Sequence, residues 1–143
     1  MLRLPPWLFA LALLGLSACA PAPTDGPDLV AEAGWIRQPP PGQRRSAAYL
    51  TLKARTAVTL VAAESPYAER VEFHTMVKEG ELMRMRPLPN VTLKPGEARV
   101  FAPGGDHLML FGWAPPPGTT TAEVHLVTEA GTRHTLTLPI GEP

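Results

Sequence analysis

The segment RVEFHTMV, residues 70–77, decides the fold class because its side chains alternate in character. One set is largely apolar: Val71, Phe73, Thr75 and Val77. The alternate residues are Glu72, His74, Met76 and Lys78, and all of them except Met76 are polar. A period of two residues is typical of a β-strand that buries one face, so this segment predicts a strand rather than a helix.

Similar short apolar runs, cut by proline and glycine turn signals, occupy the chain on both sides of this segment. They lie at residues 46–54, 56–65, 81–88, 97–103, 107–113, 121–128 and 133–140, and EAGT at 129–132 predicts a hairpin turn. A mixed α/β domain is the alternative, but no ten-residue stretch has a helical period of 3.6. We therefore predict an all-β fold, an antiparallel β-sandwich or barrel of about seven or eight strands.

The chain has 143 residues, with 13 basic and 13 acidic side chains and one cysteine. This length predicts a single folded domain that needs no disulfide bonds to be stable. A net charge of zero argues against nucleic-acid binding, because no basic excess is available to neutralise phosphates.

The first residues predict export. MLRLPPWLFALALLGLSACA has one basic residue, Arg3, and then an apolar core of about ten residues from Trp7 to Leu16. A membrane-spanning helix needs about 20 residues, so a secretory signal fits better than an uncleaved anchor. Residues 1–18 are predicted as the signal, 19–29 as a flexible tether rich in proline and alanine, and 30–143 as the folded domain.

The end of this signal, LSAC at 16–19, resembles the cleavage box of bacterial lipoproteins. The resemblance implies that cleavage leaves Cys19 as the new N-terminus and that a lipid is attached there. It also accounts for an unpaired cysteine in an exported chain. The expected location is the periplasm, with the lipid holding the protein on a membrane.

Four of the five methionines lie close to histidines in two short stretches, FHTMVKEGELMRMRPLPN at 73–90 and DHLML at 106–110. Side chains two apart in a strand share a face, with Cα atoms about 6.5 Å apart. This relationship holds for His74 with Met76, for Met83 with Met85, and for His107 with Met109. A methionine in a strand is usually core filler, but Met76 shares the polar face of its strand.

The donor types select among metal ions. Thioether sulfur is soft and imidazole is borderline, so a mixed histidine and methionine set favours Cu(I). Zinc would require cysteine or carboxylate ligands beside the histidines. Cu(II) would require a thiolate or a nitrogen- and oxygen-rich set, and the folded part has no cysteine.

The spacing of these residues resembles the His/Met signature of the periplasmic copper chaperone family PCu(A)C. Ten residues separate His74 from Met85, twenty-one separate Met85 from His107, and one separates His107 from Met109. The phrases MRMRP, LKPG, PGGDHLML and WIRQPPPGQRRSAAYLTL are also similar to that family, over roughly residues 30–140. Many members have a plainly cleaved signal, where this chain has a lipoprotein box.

The resemblance implies a cupredoxin-like fold that binds one Cu(I) through His74, Met85, His107 and Met109. Met76 and Met83 are auxiliary thioethers, and either could replace Met85. The implied role is a monomeric, non-enzymatic carrier that delivers copper to the Cu(A) centre of cytochrome c oxidase. Its implied partners are the Cu(A)-bearing subunit and a thiol-containing copper or redox protein.

The residues alone are also compatible with three other functions. They are general periplasmic copper storage or resistance, a copper redox enzyme, and a metal-free adhesive β-sandwich. His125 and His134 have no methionine or second histidine close in sequence, so we expect neither to bind copper.

Overall fold

The computed structural model describes residues 28–142, which form ten β-strands. In chain order they are β1 Leu29–Ile36, β2 Arg45–Ala54, β3 Val58–Glu64, β4 Arg70–Glu79, β5 Leu82–Leu88, β6 Val91–Leu93, β7 Ala98–Phe101, β8 His107–Phe111, β9 Thr121–Thr128 and β10 Arg133–Pro139. No helix in this part of the chain is long and apolar enough to cross a membrane. The predicted signal, Cys19 and most of the tether lie outside the described residues.

The strands form one antiparallel sheet that nearly closes on itself. Its order is β1-β2-β8-β4-β3-β9-β10, while β5 pairs with β4, β6 with β3 and β7 with β2. The two ends meet where Ile36 bridges to Ile140 and the Gly141 N–H donates to the Ile36 carbonyl at 2.8 Å. The predicted all-β antiparallel architecture is therefore confirmed, in its barrel-like form.

Aliphatic and aromatic side chains fill the inside of this barrel. The most buried are Ile36, Leu50, Leu52, Leu60, Leu93, Leu108, Leu110, Leu126, Val91 and Val124. On β4 the predicted alternation places Val71 and Phe73 in the same core. The inner faces are thus used for packing, which leaves the outer face of β4 and its neighbours for polar side chains.

Two strands were not among the predicted runs. β1 contains Ala33 at a φ of +48°, and its pairing with β2 shifts register between Glu32 and Trp35. This bulge changes the phase of the side chains, so an alternating pattern cannot be seen in the sequence. β6 has three residues, too few to give a period. Leu29, predicted to be part of the tether, is buried in the core as the first residue of β1.

The central strands change partners along their length. On one edge β4 pairs with β8, from Arg70 to His74; on its other edge β4 pairs with β3 at Val71 and then with β5, from Phe73 to Glu79. β2 pairs with β8 at one end and β7 at the other. As a result β8 lies between β2 and β4, and β5 lies on the opposite edge of β4, where it follows β3.

Candidate metal centre

The strand register collects the predicted site residues on one outer face of the sheet. His107 lies opposite His74 and Met109 lies opposite Glu72 in the β4–β8 pair. Met85 lies opposite Met76 in the β4–β5 pair. Directly opposed residues of antiparallel strands project to the same side. Five of the six predicted donors are therefore neighbours on this face, and Met83 lies at its far end opposite Lys78.

The two histidines form the most enclosed part of this face. Their ring centroids are 5.8 Å apart with the planes inclined at 50°. His74 is 7% exposed and His107 is 5% exposed. The His74 ring also lies 6.1 Å from the Phe111 ring. Both imidazoles are thus packed against other rings, although they project from the outer face of the sheet.

A short loop fixes the orientation of His107. In residues 102–106 the Ala102 N–H donates to the Asp106 carbonyl at 2.9 Å and the Gly105 N–H to the Ala102 carbonyl at 3.0 Å. Nδ1 of His107 lies 3.0 Å from the Gly105 carbonyl oxygen. A carbonyl can only accept, so Nδ1 carries the proton and Nε2 of the neutral ring has a free lone pair.

His74 has the opposite arrangement. Its Nε2 lies 2.8 Å from Oε2 of Glu72, and a carboxylate can only accept, so Nε2 carries the proton. Nδ1 of His74 is buried and has no hydrogen-bond partner among the described residues. A buried polar atom without a partner is costly, and a bound ion would satisfy this one.

Glu72 is itself held in place from the other side. Arg70 Nε lies 2.6 Å from Glu72 Oε1, and the Arg70 guanidinium stacks 4.2 Å from the centroid of the Phe111 ring. The hydrogen bond from His74 is the main cause that lowers the pKa of the Glu72 carboxyl, and Arg70 adds to it. The carboxylate that orients His74 is therefore charged at neutral pH.

The methionines differ in their position relative to the histidines. Met109 is on β8 between Ala47 and Glu72. Met85 is 44% exposed and shares the edge of the face with Met76. Met83 is 54% exposed and two residues further along β5, about 6.5 Å in rise from Met85.

A cavity of about 540 Å³ lies between this face and the β1–β2 connection. Its lining includes Met76, Met85, His107 and Met109, together with Arg37, Pro39, Pro40, Gln43, Arg45, Ser46, Ala47, Tyr49 and Gly104. His74 and Met83 are not part of the lining. Four of the predicted donors thus meet at one cavity, with His74 behind it against His107.

Several cavity residues were not found from the sequence. Tyr49 is buried, with its ring 6.5 Å from His107 and 4.7 Å from Trp35. The PPPG segment at 39–42 was not assigned a role, and its first two prolines cover the cavity. No signal in the sequence identifies Tyr49, because only the β2–β8 register, which sets Ala47 opposite Met109, places it on the same face as Met109.

The donors present fit a soft cation better than a hard one. Within residues 28–142 no group of three histidine, cysteine or acidic side chains could hold a metal ion. The soft donors next to the two imidazoles are thioethers, the type that Cu(I) prefers. His125 and His134 lie on β9 and β10, away from this face, and His125 is within hydrogen-bonding distance of Thr135 at 2.9 Å.

Fold and site together define a small cupredoxin-like β-domain with a histidine and methionine face. Residues 29–140 match the family model LpqE-like, whose description reads "Putative lipoprotein LpqE-like". The chain therefore belongs to the LpqE-like family, and the expected relationship to PCu(A)C copper chaperones is confirmed. No curated protein matches the chain.

Solved structures agree with this assignment. The copper-bound PCuAC domain from PmoF2 superposes with a TM-score of 0.65 at 24% identity, covering 82% of this chain and 95% of that chain. The apo PCuAC domain from PmoF1 gives 0.65 at 24% identity, covering 84% and 98%. The solution structure of CuI-DR1885 from Deinococcus radiodurans gives 0.60 at 26% identity, covering 76% and 74%. The two PmoF domains establish the fold alone.

Proposed function

We propose that the protein is a non-enzymatic copper chaperone that binds one Cu(I) on this face through His74, Met85, His107 and Met109. The observation that carries the proposal is the pair of opposed histidines, each with a free ring nitrogen, on the face of the sheet that also carries Met85 and Met109. Structures of relatives with bound copper support the choice of metal. The chaperone role is that of the PCu(A)C family to which the chain is related.

The hydrogen bonds of the histidines suggest the ligand atoms. His107 would bind through Nε2, because its Nδ1–H is donated to Gly105. His74 would bind through Nδ1, the buried nitrogen without a partner, because its Nε2–H is donated to Glu72. Hydrogen bonds of this kind orient a metal ligand and increase its basicity.

The acceptor in this proposal is the Cu(A) centre of cytochrome c oxidase. The part-exposed Met85 and the open cavity support transfer, because an acceptor can replace exposed donors one at a time. General periplasmic copper storage or resistance is the second candidate. Transfer of Cu(I) to the purified apo Cu(A) domain would favour the first, and tight binding without transfer would favour the second.

The location in this proposal is the periplasmic side of a membrane, with a lipid on Cys19 and a monomeric domain. The LpqE-like assignment to a lipoprotein family supports the anchor. Detergent phase partitioning tests it: the natural chain should enter the detergent phase, and a Cys19→Ser chain should stay in the aqueous phase.

Anaerobic titration with Cu(I) against a competing chelator tests the binding site. The mature chain, residues 19–143, should carry Cys19→Ser so that the thiol cannot bind copper. One tight equivalent is expected, and His107→Ala with Met109→Ala should weaken it more than about 100-fold, beyond the usual effect of an outer-shell residue.

Two matched variants control for a general loss of structure. His134→Ala removes an imidazole on β10, and Met83→Ala removes a thioether that does not line the cavity. Both should bind Cu(I) like the parent protein. If the His107 and Met109 double variant also binds like the parent, the assigned site is wrong.

A further inference from the structure

The cationic side chains of the described chain fall into two groups. In residues 28–142, nine arginine and lysine side chains form ion pairs with carboxylates. Arg37, Arg45 and Lys78 have no carboxylate partner among these residues. All three lie beside the histidine and methionine face or on the connection that covers it.

Arg37 and Arg45 lie at the cavity itself. Both are exposed and both line it. The Arg37 guanidinium stacks 5.7 Å from the Tyr49 ring centroid, and that of Arg45 stacks 5.9 Å from the Phe111 ring centroid. Stacking orients a guanidinium while its N–H donors remain available for carboxylates.

Lys78 lies further along β4, past Met76, at the end of the face away from His74. It is exposed, opposite Met83 on β5 and two residues from Met76 on β4. Glu72 is on the same face, but its carboxylate is already engaged by Arg70 and His74. Glu72 therefore does not neutralise these three unpaired cations. We call Arg37, Arg45 and Lys78 the cationic rim.

A cationic rim is unfavourable for a site that would capture a free cation. Positive charges repel Cu⁺ in the approach to the cavity, and they attract a negatively charged molecule instead. Charges at the edge of an interface mainly raise the rate of association with a partner of opposite sign. The rim is therefore better suited to the exchange of copper with an anionic partner than to the capture of free Cu⁺.

We propose that the cationic rim of Arg37, Arg45 and Lys78 is a docking surface for an acidic protein that exchanges copper with this cavity. This inference rests on the proposed function. An anionic lipid surface is the other possible occupant, with an attraction of about 1 kcal/mol for each cation. A flat lipid surface would cover the cavity and bring no acceptor ligands, so the rim favours an acidic protein.

The experiment uses poly-L-glutamate as an acidic polypeptide probe and ¹⁵N-labelled mature chain with Cys19→Ser. Titration should shift the amide signals of residues 37, 38 and 42–45 and those around Lys78, with weaker binding at high salt because exposed charges are screened. Arg37→Glu with Arg45→Glu should raise the apparent dissociation constant about tenfold or more.

The matched control reverses two exposed cations that have ion pairs elsewhere, Lys94 with Glu97 and Arg133 with Glu64. Lys94→Glu with Arg133→Glu changes the net charge by the same amount and should leave binding unchanged. Equal weakening by both double variants would overturn the proposal, as would shifts scattered over the whole surface.

Two further measurements separate the alternatives. Co-sedimentation with phosphatidylglycerol vesicles that requires Arg37 and Arg45, without a response to poly-L-glutamate, would overturn the proposal and favour a membrane. Cu(I) titration of the rim variant should still give one tight equivalent, with an affinity no lower than that of the parent, because no rim residue is a proposed ligand and charge reversal removes a repulsion of Cu⁺. If the parent binds no Cu(I), the proposed function fails, while docking on the copper-free protein is still measured independently.

Discussion

His74 and His107 face each other across the β4–β8 pair with ring centroids 5.8 Å apart, and each ring has committed a different nitrogen to a hydrogen bond. His74 donates from Nε2 to the Glu72 carboxylate, and His107 donates from Nδ1 to the Gly105 carbonyl. The two free lone pairs are therefore on Nδ1 and Nε2 respectively. We therefore expect Glu72 to be a positioning residue, because its carboxylate accepts the Nε2–H of His74 and so leaves the lone pair on Nδ1.

Replacing Glu72 by alanine should release the His74 ring. We expect Glu72→Ala to convert His74 to a mixture of tautomers in the copper-free protein and to weaken Cu(I) binding by about 10- to 100-fold. Long-range ¹H–¹⁵N spectra of the imidazoles report the first effect. Glu72→Gln keeps a carbonyl oxygen that can accept from Nε2–H, so it should retain most of the tautomer preference. An unchanged tautomer in Glu72→Ala would contradict this role.

The lowered pKa of Glu72 gives a pH dependence to its contribution to folding. Because the pKa is lower in the folded protein than in the unfolded chain, the carboxylate stabilises the fold above the ordinary pKa of a glutamate. That contribution is lost as the pH falls through the lowered value. The difference in unfolding free energy between the parent and Glu72→Gln, measured without copper, should therefore be largest near neutrality and shrink below about pH 4.

The three thioethers on β4 and β5 should not be equivalent. Met85→Ala should weaken Cu(I) binding more than about tenfold, and Met83→Ala should have little effect, because Met83 lies at the far end of the face, opposite Lys78. Met76 is directly opposite Met85, so loss of both should be worse than loss of Met85 alone. Copper K-edge absorption of each loaded variant counts the sulfur donors. Equal effects of Met83→Ala and Met85→Ala would contradict this ranking.

Copper removal by small chelators should depend on chelator charge. Bathocuproine disulfonate is anionic and neocuproine is neutral, and both bind Cu(I) through a phenanthroline unit. Stopped-flow absorbance should show that Arg37→Glu with Arg45→Glu slows the anionic chelator about tenfold and leaves the neutral one unchanged. Equal slowing of both chelators would indicate a changed binding site rather than a changed electrostatic field.

The fold could be predicted largely from side-chain alternation. β4 is an example, because Val71 and Phe73 enter the core while Glu72, His74 and Met76 project outward. β1 could not be predicted in the same way, since a backbone feature that leaves no sequence period, the positive φ of Ala33, resets its phase. Strand pairing is also not readable from one strand, because it depends on contacts between distant segments.

The site could be predicted as a set of residues but not as an arrangement. Donor chemistry and the resemblance to the PCu(A)C signature singled out His74, Met85, His107 and Met109, and the register places them on one face. The sequence did not predict that Met76 would lie opposite Met85, or that the β1–β2 connection would fold over Tyr49. Both depend on register and loop path, which are tertiary properties. The ligand assignment itself remains a prediction for the copper titrations.

The change of partner along β4 has a further consequence. His74, His107 and Met109 are on strands in the middle of the nearly closed sheet, whereas β5, among the residues that the structure describes, pairs only with β4 and is exposed along most of its length. The β4–β5 hairpin can therefore unzip from its tip without unfolding the barrel. Amide hydrogen exchange in β5 should be faster than in β8, and Cu(I) should slow it by tethering Met85 to the histidines. Release of copper would then begin with one thioether swinging away, while the imidazoles keep hold of the ion until an acceptor sulfur or nitrogen has taken its place.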